Sequence, residues 1–143
     1  MEPVSDDLGA RLRRRIEDAG PITFAEFMES ALYDPKDGFF EGGGQGSPGG
    51  AIGTGGDFVT SPHVGSLFGI LLSRLIEDAR TGLGDPDPFT VVEVGAGDGT
   101  LARVLADGLA GRGGSLALVE RTARHRALLA EMALNCKVPP LPR

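Results

Sequence analysis

Tryptophan is absent from the 143 residues, and tyrosine (Tyr33) and cysteine (Cys136) each occur once. With no tryptophan and one tyrosine, an aromatic stacking platform for single-stranded nucleic acid is not expected. A lone cysteine forms no intramolecular disulfide, and no apolar leader opens the sequence, so the expected compartment is the cytoplasm. Cys136 has no companions at metal-ligand spacing, and no metal site is expected. No apolar run approaches the length that spans a bilayer, so no membrane partner is expected. Basic residues are also short: 14 Lys and Arg stand against 20 Asp and Glu, a formal charge of −6. That balance argues against nucleic acid as a partner. The basic cluster at Arg11, Arg13, Arg14 and Arg15 is flanked by acids and reads as a solvated helix face.

What the sequence has in excess is glycine, 23 residues against a typical share of about 7%. Nine of them fall between Gly42 and Gly56, in "GGGQGSPGGAIGTGG", which reads as a flexible surface connection. The apolar fraction of 41% suits a globular chain, with room for one modest domain.

In chain order, Ser5 is a candidate N-cap for a first helix with Leu8, Leu12 and Ile16 on one face, stopped by Gly20-Pro21. Thr23 and Glu26 have capping-box spacing at the head of a second helix that Asp34-Pro35 ends. "DGFF", 37–40, reads as an extended segment or turn. Ser61 and Pro62 open a third helix with Val64, Leu67, Phe68, Leu71, Leu72 and Leu75 on a wide apolar stripe. This helix is expected to be long, substantially buried and complete near Arg80. "TGLGDPDP", 81–88, is a break. Beyond it, 89–94 reads as a buried strand, 100–110 as a helix, 115–119 as a second buried strand and 122–133 as a second helix. That order implies parallel pairing through a right-handed crossover.

The turn between the first strand and its helix, "VVEVGAGDGTL", carries glycines at 95, 97 and 99. A strand passing through such a turn into a helix presents unpaired N–H groups and partial positive charge to a ligand. Gly95 permits the tight turn, Gly97 lets a ligand approach the backbone, and Gly99 lets the helix start close to the strand. A phosphate-binding P-loop needs Lys-Ser/Thr after its last glycine, where Thr100-Leu101 stand. The dinucleotide fingerprint G-x-G-x-x-G/A places its last small residue at Thr100. The pattern present, Glu93-x-Gly95-x-Gly97-x-Gly99, fits the first motif of S-adenosylmethionine-dependent methyltransferases better. Glu120, ending "LALVE" 21 residues after Gly99, stands near the offset of ~20 expected of a ribose-binding acid. Glu93 is acceptor-only when ionised and suits the cationic methionine end. A structural strand–helix turn needs glycine for sterics alone, and is the plain alternative.

Four segments occur in order: "GPITFAEFMESALYDPKDGFF" (20–40), "GDFVTSPHVGSLFG" (56–69), "VVEVGAGDGTL" (91–101) and "LVERT" (118–122). Together they resemble the MidA-like S-adenosylmethionine-dependent methyltransferases, the family containing a mitochondrial complex I assembly factor that methylates a protein arginine. The resemblance implies a Rossmann-like methyltransferase sheet with N-terminal helical decoration, S-adenosylmethionine as cofactor and a protein substrate. It implies cofactor contacts at Glu93, Gly95, Gly97, Gly99 and Glu120. It also places Gly56, Asp57, Phe58, Thr60 and Ser61 near the methionine end, although Thr60 and Ser61 also suit helix caps. Asp57 is the one weak candidate for a catalytic carboxylate. Two positions depart from the family: His63 stands where an acid is usual and reads as a solvent-facing first-turn residue, and Leu129 stands where a glutamine is common.

The family is considerably longer, and nothing after Glu120 matches its later "NE…D" segment. The expected fold class is therefore α/β: an N-terminal helical segment with its Gly-rich loop (1–88), then the first βαβα portion of an incomplete Rossmann-like sheet (89–134), then a tail (135–143). A missing C-terminal half or a partner chain is expected. The expected function is a methyltransferase, or the N-terminal part of one, acting on a protein side chain such as arginine. The alternatives are a catalytically inactive binding or assembly module and, disfavoured by Thr100, a nicotinamide-dependent oxidoreductase.

Overall fold

The structure, a computed structural model, describes residues 7–41, 53, 55–56 and 59–131. The chain divides into two compact units at Val59–Thr60.

The first unit holds helices α1 (Leu8–Ala19) and α2 (Phe24–Tyr33). The cap of α1 is Asp7, whose carboxylate accepts from the Ala10 amide at 2.8 Å. Ser5, the residue expected there, lies outside the described residues. Gly20 ends α1 at φ 88°, a left-handed conformation that glycine adopts without steric cost. The capping box of α2 is formed as its spacing predicts. The Glu26 amide donates to Thr23 Oγ1, and the Thr23 amide donates to Glu26 Oε2. The basic cluster is not merely a solvated face. Arg11 spans Asp34 and Asp37, each at 2.7 Å, and Arg15 pairs with Glu26. The "DGFF" segment is a turn folded back onto α2, with the Phe39 and Phe40 amides donating to the carbonyls of Ala31 and Leu32.

The second unit runs α3 (Ser61–Val64), α4 (Leu67–Gly82), β1 (Phe89–Val94), α5 (Thr100–Leu109), β2 (Gly114–Val119) and α6 (Ala123–Glu131). The single long helix expected from Ser61 is thus two helices. Gly65 is fully extended, at φ 165° and ψ 169°, which interrupts the helical course. Nor is α4 substantially buried. Gly69 is its one fully buried residue, while Leu67, Leu71 and Leu75 are exposed. A periodic stripe shows which residues share a helix face but not whether anything covers that face.

The two strands pair in parallel, Phe89 opposite Gly114 through Val94 opposite Val119. On one face, Leu116 and Leu118 pack with Ala102, Leu105 and Leu109 of α5 and with Leu129 of α6. Each leucine buried in this way contributes about 1.5–3 kcal/mol relative to exposure. Leu129 is a core residue at 1% exposure. The other face of β1 is bare, with Val92 56% and Val94 78% exposed. The strand is therefore buried on one side and not on both. Helices α4 and α5 approach closely through two glycines: a Cβ at Gly69 would stand 2.7 Å from Val104, and one at Gly108 would stand 2.7 Å from Ser73 Oγ. The 81–88 break joins α4 to β1 inside this unit. The expected tail lies outside the described residues. Among the described residues, no helix is long and apolar enough to cross a membrane.

Candidate functional site

The site is built where β1 gives way to α5. The amides of Gly95 and Ala96 both donate to the Val119 carbonyl, at 2.7 and 3.3 Å, which turns the chain sharply over the end of β2. Gly95, Gly97 and Gly99 then adopt φ of 76°, 57° and 77°. This left-handed region costs other residues about 1–2 kcal/mol each. Steric relief within the protein is not the reason for glycine at the first two positions. A Cβ on Gly95 would meet nothing within 4 Å, and one on Gly97 would meet only the Gly95 carbonyl, at 3.9 Å. Those side chains would instead project into open space above the turn, which the glycines keep clear. Gly99 caps α5 without a side-chain bond.

Glu120, 6% exposed just after β2, fixes this turn through its carboxylate. Its Oε2 accepts from the Gly97 amide at 2.8 Å. Its Oε1 accepts from the amide and hydroxyl of Thr122 at 2.7 and 3.0 Å. Burial pushes its pKa up, but the hydrogen bonds from Thr122 and Gly97 outweigh that and hold it below the ordinary carboxylate value. A carboxylate oxygen has about two acceptor sites, so Oε2 retains capacity for a further donor.

Glu93 has the opposite environment. Its Oε2 is buried with no hydrogen-bond partner among the described residues. Desolvation, with the nearby charge of Asp98 second, raises its pKa to about 7. A buried carboxylate oxygen left without a donor is a ready acceptor for a cationic one.

Asp98 completes the turn. Its Oδ1 accepts from the Thr100 amide at 3.0 Å, and its Oδ2 lies 3.1 Å from His63 Nε2. Burial raises its pKa, but the bonds from Thr100 and His63 prevail and leave it lowered. His63 is not solvent-facing as its first-turn position suggested. Its side chain is 12% exposed, and its Nδ1 lies 2.7 Å from Thr60 Oγ1.

The expected site residues therefore divide. The structure brings Glu93, Gly95, Gly97, Gly99 and Glu120 together around one turn. Thr60 stands at the cap position of α3, but its hydroxyl engages His63 and not the helix amides. Ser61 is exposed at the start of α3. Gly56 lies in the first unit, its amide bonded to the Gly53 carbonyl at 3.0 Å. Asp57 and Phe58 lie outside the described residues. Sequence reasoning missed Asp98, Thr122 and the buried role of His63. Asp98 had a signal, an Asp two residues before the start of a helix, where its carboxylate can accept from the amide two residues on. A groove of about 570 Å³ between α4 and α5, lined by Ile70, Arg74, Glu77, Val104, Asp107 and Arg112 among others, shares no residue with the glycine turn.

No protein-family model matches the chain. It is 38% identical over 96 residues to the mitochondrial protein arginine methyltransferase NDUFAF7 homolog of Drosophila melanogaster, covering 67% of this chain and 21% of that protein. With the human mitochondrial protein arginine methyltransferase NDUFAF7 it shares 34% over 103 residues, 70% of this chain and 22% of that one. The chain thus spans about a fifth of the length of these curated relatives. Its structure matches that of a COG1565 superfamily member from Burkholderia thailandensis, crystallised with bound S-adenosyl-homocysteine. The TM-score is 0.71 and the identity 35%, over 94% of this chain and 37% of that one.

Proposed function

We propose, on the premise that this chain is homologous to the NDUFAF7/MidA-like methyltransferases over part of their length, that it carries the S-adenosylmethionine-binding portion of a methyltransferase whose acceptor is a protein side chain such as arginine. The observation that supports this most is the buried Glu93 Oε2, without a hydrogen-bond partner among the described residues, at the end of the strand that leads into the open-faced Gly95–Gly97 turn. The residues present fit the cofactor. Glu93 would take the cationic amino group, Glu120 would accept from ribose hydroxyls, and the Gly95–Gly99 backbone would lie against the ligand.

When bound, S-adenosylmethionine supplies a methyl group already activated on a sulfonium. The protein's part is then mainly to hold the donor and acceptor in line at short range. Glu120 contributes by fixing the Gly97 amide and Glu93 by drawing one end of the ligand to the β1 terminus. An arginine acceptor would also need a carboxylate to orient the guanidinium and accept its proton. Asp57 remains the one candidate within the matched segments.

A second reading, a binding module without turnover, is favoured by the bare face of β1 at Val92 and Val94. A parallel sheet ordinarily needs cover on both faces. Calorimetric titration with S-adenosylmethionine, using NAD as control, tests the cofactor assignment. Saturable binding of the first and none of the second is expected; NAD binding, or binding of neither by the folded chain, overturns it. Methyl incorporation into arginine-containing peptides then separates enzyme from binding module.

A further inference from the structure

The bond between His63 and Asp98 joins residues 35 positions apart and is absorbed neither by the core nor by the cofactor contacts above. Asp98 lies between Gly97 and Gly99, two of the residues with left-handed backbone. Glycines give a turn access to many conformations, so a single course must be enforced from outside. Glu120 does this at Gly97 through its amide. At the α5 end the enforcing group is Asp98, and its own orientation has to be held.

We propose that His63 is a positioning residue for the glycine turn: by gripping Asp98 it keeps the Gly97–Thr100 backbone in the course against which a ligand would lie. This inference rests on the cofactor reading above. Three contacts form a brace from the head of α3 to the head of α5. The Thr60 hydroxyl meets His63 Nδ1 at 2.7 Å, His63 Nε2 meets Asp98 Oδ2 at 3.1 Å, and Asp98 Oδ1 meets the Thr100 amide at 3.0 Å. An ionised Asp98 can only accept, so Nε2 carries the proton and donates. With one oxygen on each neighbour, the carboxylate plane is fixed. Without His63, the carboxylate keeps its bonds from the Thr100 amide and side chain but loses the contact that ties it to α3, and the Thr100 amide is held less tightly. The same bond sets where the Asp98 charge stands relative to Glu93, whose ionisation it opposes.

The test compares the parent chain with His63→Ala and His63→Gln, the latter offering a side-chain N–H in place of Nε2–H. In the ligand-free chain, amide hydrogen exchange is measured at Gly97, Gly99 and Thr100 and at Leu105 and Leu109 within α5. The expected result is exchange about tenfold faster at Thr100 in His63→Ala, the size of one lost hydrogen bond to a charged group. Leu105 and Leu109 stay unchanged, and His63→Gln returns to within about threefold of the parent. Unchanged exchange at Thr100, equal loosening along all of α5, or a glutamine variant indistinguishable from alanine would overturn the proposal. S-adenosyl-homocysteine affinity is measured in parallel and is expected to fall about tenfold in His63→Ala and recover in His63→Gln. Altered exchange with unchanged affinity would overturn the positioning role. A parent chain that binds no S-adenosyl-homocysteine would refute the cofactor reading, while the exchange data still decide whether His63 holds the turn.

Discussion

Glu93→Gln removes a charge that the fold penalises, and its effect depends on pH in a definite direction. The Glu93 carboxyl is raised from 4.5 to about 7 by burial and by Asp98. Between those values the folded chain holds a proton that the unfolded chain has released. Stability from this group is therefore present in acid and lost as pH rises from about 4.5 through about 7. The full shift sets a ceiling of about 3 kcal/mol, at about 1.4 kcal/mol per unit. The group is half-buried, and screening by solvent reduces the expected figure to about 1–2 kcal/mol. Urea unfolding of parent and variant at pH 5 and pH 8 reads it as a difference of differences, which cancels the other titrating groups. Relative to the parent, Glu93→Gln should be more stable at pH 8 than at pH 5 by that amount. A difference independent of pH, or of opposite sign, would refute the claim that Glu93 is ionised at a cost. It would also remove the physical basis for expecting a cationic ligand beside it.

Three further outcomes follow from the packing. Glu120→Ala leaves the Gly97 amide and both Thr122 donors without their acceptor and should destabilise the chain by about 2–3 kcal/mol in urea unfolding. Gly69→Ala drives a methyl group into Val104 and should cost about 1–3 kcal/mol, with Val104→Ala recovering part of the loss in a double-mutant cycle. Thr23→Ala breaks the capping box of α2 and should lower its stability by about 1 kcal/mol, read by helix content on heating.

The strand–helix alternation of the second unit was legible in the sequence because each element carries its own local signal. β1 falls at Phe89–Val94 and α5 starts at Thr100, where the change from β-branched residues through glycine to a helical stripe places them. The capping box at Thr23 and Glu26 and the approach of Glu120 to the glycine turn were likewise readable, since both rest on spacing along the chain. The division of the third helix at Gly65 was not, because the apolar stripe continues across the break. Burial was misread for β1 and α4 for one reason: residue type reports what a face could bury, whereas exposure depends on which layers stand beside it. The His63–Asp98 bond joins positions with no shared periodicity, and only the fold brings them together.

A ligand seated on the turn between Glu93 and Thr100 would engage that backbone together with Glu120. The most direct test of this is a titration of the isotopically labelled chain with S-adenosyl-homocysteine, following every backbone amide by NMR. Saturable shifts are expected at Gly95, Gly97, Gly99 and Thr100 and at Glu120–Thr122, with α4 and the far end of α5 unmoved. Shifts centred on Arg74, Glu77 and Arg112 in the α4–α5 groove, or none in a folded chain, would contradict it.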